Sequence, residues 1–156
     1  MDINRILYPT DFSEYSLAAL PYAIGLAQQN NAKLFCLHVV ELAHEEYLLN
    51  EYMVPLSTPH VPEYKVLKAA RARLERFVTE NLSEIDNVTP RVLVGVPFVE
   101  IIRYAREQSI DLIVIGTHGH SALATMLLGS VAEKVIRKAP CPVLSIRHPQ
   151  HKFEMP

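Results

Sequence analysis

Five short runs of apolar, largely β-branched residues, at positions 3–8, 34–40, 88–94, 112–115 and 143–146, alternate with stretches of helical periodicity. Runs this short and this nearly continuous in Ile, Leu and Val are what strands buried on both faces require, whereas a sheet with one wet face alternates apolar and polar side chains. The alternation therefore predicts an open parallel sheet with helices on both faces. At 156 residues the chain can bury such a core without a disulfide or metal. No internal repeat or linker divides it, so the pattern predicts one domain over residues 1–148 and a short tail over 149–156.

The helical stretches carry their own punctuation. Ser13 suits an N-cap, and Leu17, Leu20, Ile24 and Ala27 follow at spacings of three and four, predicting one helix that ends near residues 28–31 and is bent by Pro21 within it. Leu67, Ala70, Leu74, Phe77 and Val78 form the stripe of a second helix, with Pro62 in its first turn. Pro97 starts a third, carrying Phe98, Ile101, Ile102 and Ala105. The last begins near Ser130, presents Val131, Val135 and Ile136, and stops at Ala139 and Pro140.

Charge and cysteine content narrow the function. Fifteen Lys and Arg against 17 Asp and Glu give a net charge of −2, with no basic run, which predicts neither a nucleic-acid partner nor a membrane surface. Residues 112–132 lack any acid, Lys or Arg, but Gly116, His118, Gly119, His120, Ser121, Gly129 and Ser130 break the stretch, which reads as strand, loop and helix rather than a membrane span. Cys36 and Cys141 fit neither a metal spacing nor a disulfide framework. The N-terminal stretch lacks the apolar core of a secretory signal, and a cytoplasmic location is expected.

Ligands of open α/β sheets bind beyond the carboxyl ends of the strands, where strand order reverses. Two loops there are unusual: Pro9-Thr10-Asp11-Phe12-Ser13 after the first strand, and Gly116-Thr117-His118-Gly119, running on to Gly129-Ser130, after the fourth. An order of 3-2-1-4-5 makes their strands neighbours. An order of 2-1-3-4-5 would pair the first loop instead with Gly95-Val96-Pro97, which offers little chemistry. The glycines fall as G-x2-G-x9-G followed by Ser130. Glycine lets backbone approach a ligand closely, and free N–H groups at an opening helix attract phosphate. The same glycines could serve only as a turn and a helix cap, and Asp11 could simply cap the first helix beside Ser13.

At these residues the sequence resembles the universal stress protein family, through ILYPTDFSEYS, LFCLHVV, GVPFVEIIRYAREQSIDLIVIGTHGHS and LLGSVAEKVIRKAPCPVLSI, from Ile3 to Arg147. The resemblance implies a Rossmann-like, adenine nucleotide alpha hydrolase-like sheet of order 3-2-1-4-5 and the subgroup that binds ATP through G-x2-G-x9-G-[ST]. It assigns Pro9, Thr10 and Asp11 to the nucleoside end and the Val39 backbone to the adenine edge. Gly116, Thr117, His118, Gly119, His120, Ser121 and Ala122 would wrap ribose and phosphates, and Gly129, Ser130 and Val131 would hold phosphates. The implied role is a nucleotide-dependent regulatory or stress-response module that couples occupancy to an unknown protein partner and takes ATP, or ADP or AMP, with Mg or Mn bound through the phosphates and no metal site of its own. The alternatives are a slow ATPase or phosphotransferase and a nucleotide-free interaction protein.

Residues 120–128 depart from the family habit in carrying no Lys or Arg, and the chain has no Walker-type lysine, so hydrolysis slower than about one turnover per minute is expected. His38, in an apolar strand, reads as a satisfied core histidine. His44, Glu45, Glu46 and His60 match no metal motif and read as a solvated loop. In the implied order the last strand lies at an edge, and Val143, Leu144 and Ile146 predict pairing with a second copy, a two-fold homodimer that the resemblance also suggests.

Overall fold

In the computed structural model, which describes residues 2–41, 63–117 and 128–148, the expected alternation is present. Strands β1 (Arg5–Pro9), β2 (Lys33–Val40), β3 (Val88–Val94), β4 (Leu112–Gly116) and β5 (Val143–Ile146) form one parallel sheet in the order β3-β2-β1-β4-β5. Helices α1 (Glu14–Leu17), α2 (Leu20–Asn30), α3 (Glu63–Asn81), α4 (Pro97–Glu107) and α5 (Ser130–Lys138) surround it. Residues 42–62, with His44, Glu45, Glu46 and His60, and the tail 149–156 lie outside the described residues.

Successive strand residues feed opposite cores, which is why the central runs are continuously apolar. Ile6, Tyr8, Leu34, Cys36, Leu112 and Val114 pack with α2 and with Leu74 and Phe77 of α3. Leu7, Phe35, Leu37, Ile113 and Ile115 face Ile101, Tyr104 and Ala105 of α4 and Ala132 and Val135 of α5. Among the described residues no helix is long and apolar enough to cross a membrane.

The expected single bent helix is instead two. Ser13 caps α1, its Oγ accepting from Ser16 N–H at 3.2 Å, but α1 lasts only four residues. Pro21 then stands in the first turn of α2, where its missing N–H leaves no intrahelical bond unmade, so it starts a helix rather than bending one.

Burial sets the cysteine chemistry. The Cys36 thiol is pushed up to about 12 by burial, and burial, with Asp111 adding to it, raises Cys141 as well. Cys36 ionises near 9.0 in the open chain, so above that pH the unfolded state sheds a proton the native state keeps. Stability is therefore full below pH 9 and falls from there toward pH 12, with Cys36 contributing up to about 1.4 kcal/mol per pH unit. Thermal melts between pH 7 and 10.5 should show a slope that Cys36→Ala flattens, even though the truncation lowers the melting temperature throughout; an unchanged slope would show that Cys36 makes no such contribution.

Candidate functional site

The first loop leaves β1 at the middle of the sheet and is tied down in several places. Thr10 N–H donates to the Leu37 carbonyl at 2.8 Å, Thr10 Oγ1 meets Ser16 Oγ at 3.0 Å, and Tyr8 Oη donates to the Ser16 carbonyl at 3.0 Å. His38 is buried, and its Nδ1 lies 2.8 Å from the Thr10 carbonyl; a carbonyl only accepts, so Nδ1 carries the proton. The core reading of His38 holds.

Asp11 has a local duty. Its Oδ1 accepts from Ser13 N–H at 3.0 Å and from Ser13 Oγ at 2.6 Å, which steadies the residue that caps α1. The helix-capping alternative is thus present in an indirect form, through Ser13.

Between them, Phe12 adopts φ +63°, a left-handed conformation that costs an L-residue roughly 1–2 kcal/mol. Three neighbours oppose that cost. The His38 ring lies 4.6 Å from the Phe12 ring, the Phe77 ring 5.5 Å away edge-on, and the Arg73 guanidinium 4.2 Å above it. Such aromatic and cation–π contacts contribute about 0.5–1.5 kcal/mol each, enough to hold the strained turn. Phe12 and Arg73 were not among the residues singled out from sequence; no spacing links them, and phenylalanine carries no preference for this conformation.

A cleft is built into the strand pairing. β1 and β4 are in register only at Ile6↔Leu112 and Leu7↔Ile113, while β4 runs on to Gly116. Beside it, β2 outlasts β1. Toward β1 it uses Lys33 and Leu37, and toward β3 it uses Leu34 and Val40, whose carbonyl accepts from Gly95 N–H at 3.0 Å. By that alternation the Val39 N–H and carbonyl face the line of β1, one step beyond the bond from Thr10 N–H to the Leu37 carbonyl.

On the other side, Gly116 approaches protein, not an open space. A Cβ there would overlap the Tyr15 carbonyl oxygen and stand 2.9 Å from the Tyr15 carbonyl carbon and 3.1 Å from Ser16 Cα. The first glycine of the motif is therefore explained by packing of β4 against α1, which corrects the expectation of ligand approach at that position. Thr117, buried, follows with N–H donating to Ile146 carbonyl at 2.9 Å, and its own carbonyl accepts from Gly129 N–H at 2.6 Å.

That last bond also corrects the role expected of Gly129, because its N–H is already committed within the protein. The opening of α5 supplies donors one step later. Its ladder begins with Glu133 N–H to the Gly129 carbonyl at 2.9 Å, so the N–H groups of Ser130, Val131 and Ala132 lie outside that ladder, and the N-cap glycine has no side chain to meet them. Gly129 itself is extended, at φ −68° and ψ 150°, a conformation open to any residue.

Of the residues expected at the site, Pro9, Thr10, Asp11, Val39, Gly116, Thr117, Gly129, Ser130 and Val131 all stand at the carboxyl ends of β1, β2 and β4 or at the opening of α5. His118, Gly119, His120, Ser121 and Ala122 lie outside the described residues. Among the described residues, no group of three or more His, Cys, Asp or Glu is placed to hold a metal ion.

Known proteins resemble this one in sequence and in fold. The universal stress protein MJ0531 of Methanocaldococcus jannaschii is 35% identical over 149 residues, covering 94% of this chain and 84% of its own. The universal stress protein MJ0577 of the same organism is 31% identical over 153 residues, covering 92% and 94%. A solved structure of the MJ0577 protein superposes with a TM-score of 0.78 at 30% identity, over 96% of this chain and 99% of that one. A universal stress protein solved in complex with cAMP superposes with a TM-score of 0.65 at 25% identity, over 95% and 99%. The model of the universal stress protein family matches residues 2–147. With that match, the sheet order and relatives aligned along nearly its whole length, the chain belongs to the universal stress protein family.

Proposed function

We propose that the protein holds an adenine nucleotide, ATP with ADP or AMP as alternatives, in the cleft between the β1 and β4 loops, and acts as a nucleotide-dependent regulatory module in a stress response. The observation that carries the reading is the opening of α5: three backbone donors outside the helix ladder, at the loop after β4, where strand order reverses. The helix dipole adds a positive potential there, which suits phosphate. Val39 fits the adenine edge, with one backbone donor and one acceptor facing the cleft side beyond β1. Asp11, with Pro9 and Thr10, takes the nucleoside end. Gly129 contributes closeness rather than a hydrogen bond, and the Ser130 hydroxyl joins the backbone donors. The residues from Thr117 to Ala122 are assigned to ribose and phosphate, with Mg or Mn entering on the phosphates. The relative solved with cAMP supports the adenine-nucleotide class.

Heating the purified protein and separating what it releases by chromatography tests the reading, with calorimetry against ATP, ADP and AMP as the second arm. Release of an adenine nucleotide, or binding of one, supports it. No release and no binding at millimolar nucleotide would return the protein to a nucleotide-free interaction role.

The same reading includes a homodimer through β5. The two sheet edges differ: β3 carries Pro90, which has no N–H, and exposed Arg91, both of which discourage pairing. β5 carries Val143, Leu144, Ser145 and Ile146, with Leu144 exposed, and no charge until Arg147. Light scattering coupled to size exclusion should give twice the 17.6 kDa chain mass, and Leu144→Lys should return it to one chain. A wild-type monomer at micromolar concentration overturns the dimer.

A further inference from the structure

The strained turn at Phe12 lies beside the cleft, and one residue that secures it comes from a helix far away in sequence. Arg73 belongs to α3, which packs over β2 and β3 on the same face of the sheet as α2. Its guanidinium lies 4.2 Å from the centre of the Phe12 ring, and Phe12 in turn leans on Phe77, one turn further along α3, at 5.5 Å. Two residues of one helix therefore grip one residue of the first loop. The grip acts on the backbone: Phe12 N–H donates to Thr10 Oγ1 at 3.0 Å, and the next residue, Ser13, donates to Asp11 Oδ1 through its N–H at 3.0 Å and its hydroxyl at 2.6 Å. If Phe12 relaxed to a negative φ, the chain direction between Asp11 and Ser13 would change and both bonds to the carboxylate would be lost.

We propose that Arg73 is a positioning residue of the nucleotide site: stacked on Phe12, it holds the first loop in the left-handed turn that fixes Asp11 at the edge of the cleft. The inference rests on the nucleotide reading above and deepens it, because it makes α3 part of the binding apparatus although α3 supplies no residue to the strand-end loops. It also offers a structural answer to the missing cation between the second and third glycines: a basic side chain serves this site by shaping a loop.

Arg73→Met keeps the apolar stem and removes the plane and charge, while Arg73→Lys keeps the stem and the charge and removes only the plane. Hydrogen exchange followed by NMR should show the Phe12 and Ser13 amides exchanging at least about fivefold faster in Arg73→Met, with Arg73→Lys between it and wild type and the β1 and β2 amides unaffected. ATP affinity by calorimetry should fall about tenfold in Arg73→Met. In a Phe12→Gly background, where no ring remains to be stacked on, adding Arg73→Met should change affinity by less than about twofold. An equal loss in both backgrounds would mean that the arginine acts on the ligand directly, and unchanged exchange at Phe12 and Ser13 in Arg73→Met would mean that it does not hold the turn; either result overturns the proposal. Wild-type protein that binds no ATP, ADP or AMP would sink the nucleotide reading instead, and the exchange experiment would still decide whether Arg73 secures the loop.

Discussion

Gly116→Ala should lower stability by about 3 kcal/mol or more, measured without nucleotide. The added methyl would overlap the Tyr15 carbonyl oxygen and come within 3.1 Å of Ser16 Cα, and both neighbours are backbone that cannot rotate aside as a side chain would. Overpacking of this kind costs about 1–3 kcal/mol where side chains can yield, and more where they cannot. Relief requires α1 to move off β4, which would strain the bonds of Tyr8 Oη and Thr10 Oγ1 to Ser16 as well. Urea unfolding of the variant measures the effect. A loss below about 0.5 kcal/mol would mean that α1 yields easily, and the packing account of this glycine would have to be abandoned.

Gly129→Val should behave in the opposite way: the fold survives and nucleotide affinity falls at least about a hundredfold. The backbone at Gly129 is already extended, so valine meets no conformational barrier, and replacing a glycine cap costs the helix only about 1 kcal/mol. What valine does is place two methyl groups at the N-cap of α5, where the proposed reading has phosphate reach the N–H groups of Ser130 and Val131. Calorimetry with ATP, controlled by circular dichroism, reads the result. Equal affinity in a folded variant would remove the phosphate site from this helix. The two substitutions together separate what the glycine pattern alone could not, since Gly116 serves the protein's own packing and Gly129, on the proposed reading, serves the phosphate.

Sequence and structure agree where a single local rule suffices. Continuous apolar runs announced β1, β2 and β4 because those strands are covered on both faces, and the loops at their ends could be named once the sheet was known to be parallel. The strand order was less accessible, since loop composition allowed two arrangements and the family resemblance chose between them. Pro21 reads as a kink from sequence because a proline inside a periodic stretch and a proline opening a new helix look the same without the break at Ala18 and Ala19. The reason for Gly116 was hidden because it lies in contact with α1, a tertiary fact with no counterpart in spacing. Arg73 was invisible for the same reason: it is 61 positions from Phe12 in sequence (73 − 12), and only the folded chain brings them to 4.2 Å.

The order β3-β2-β1-β4-β5 places the first strand synthesised in the middle of the sheet. As the chain emerges from the ribosome, β1, β2 and β3 can assemble as soon as residue 94 is free, but β1 then forms an outer edge until residues 112–116 arrive. During that interval Ile6 and Leu7, fully buried in the finished protein, would border an open row of backbone donors and acceptors. A nascent chain stalled between β3 and β4 thus keeps open a sheet edge that the finished protein closes with β4.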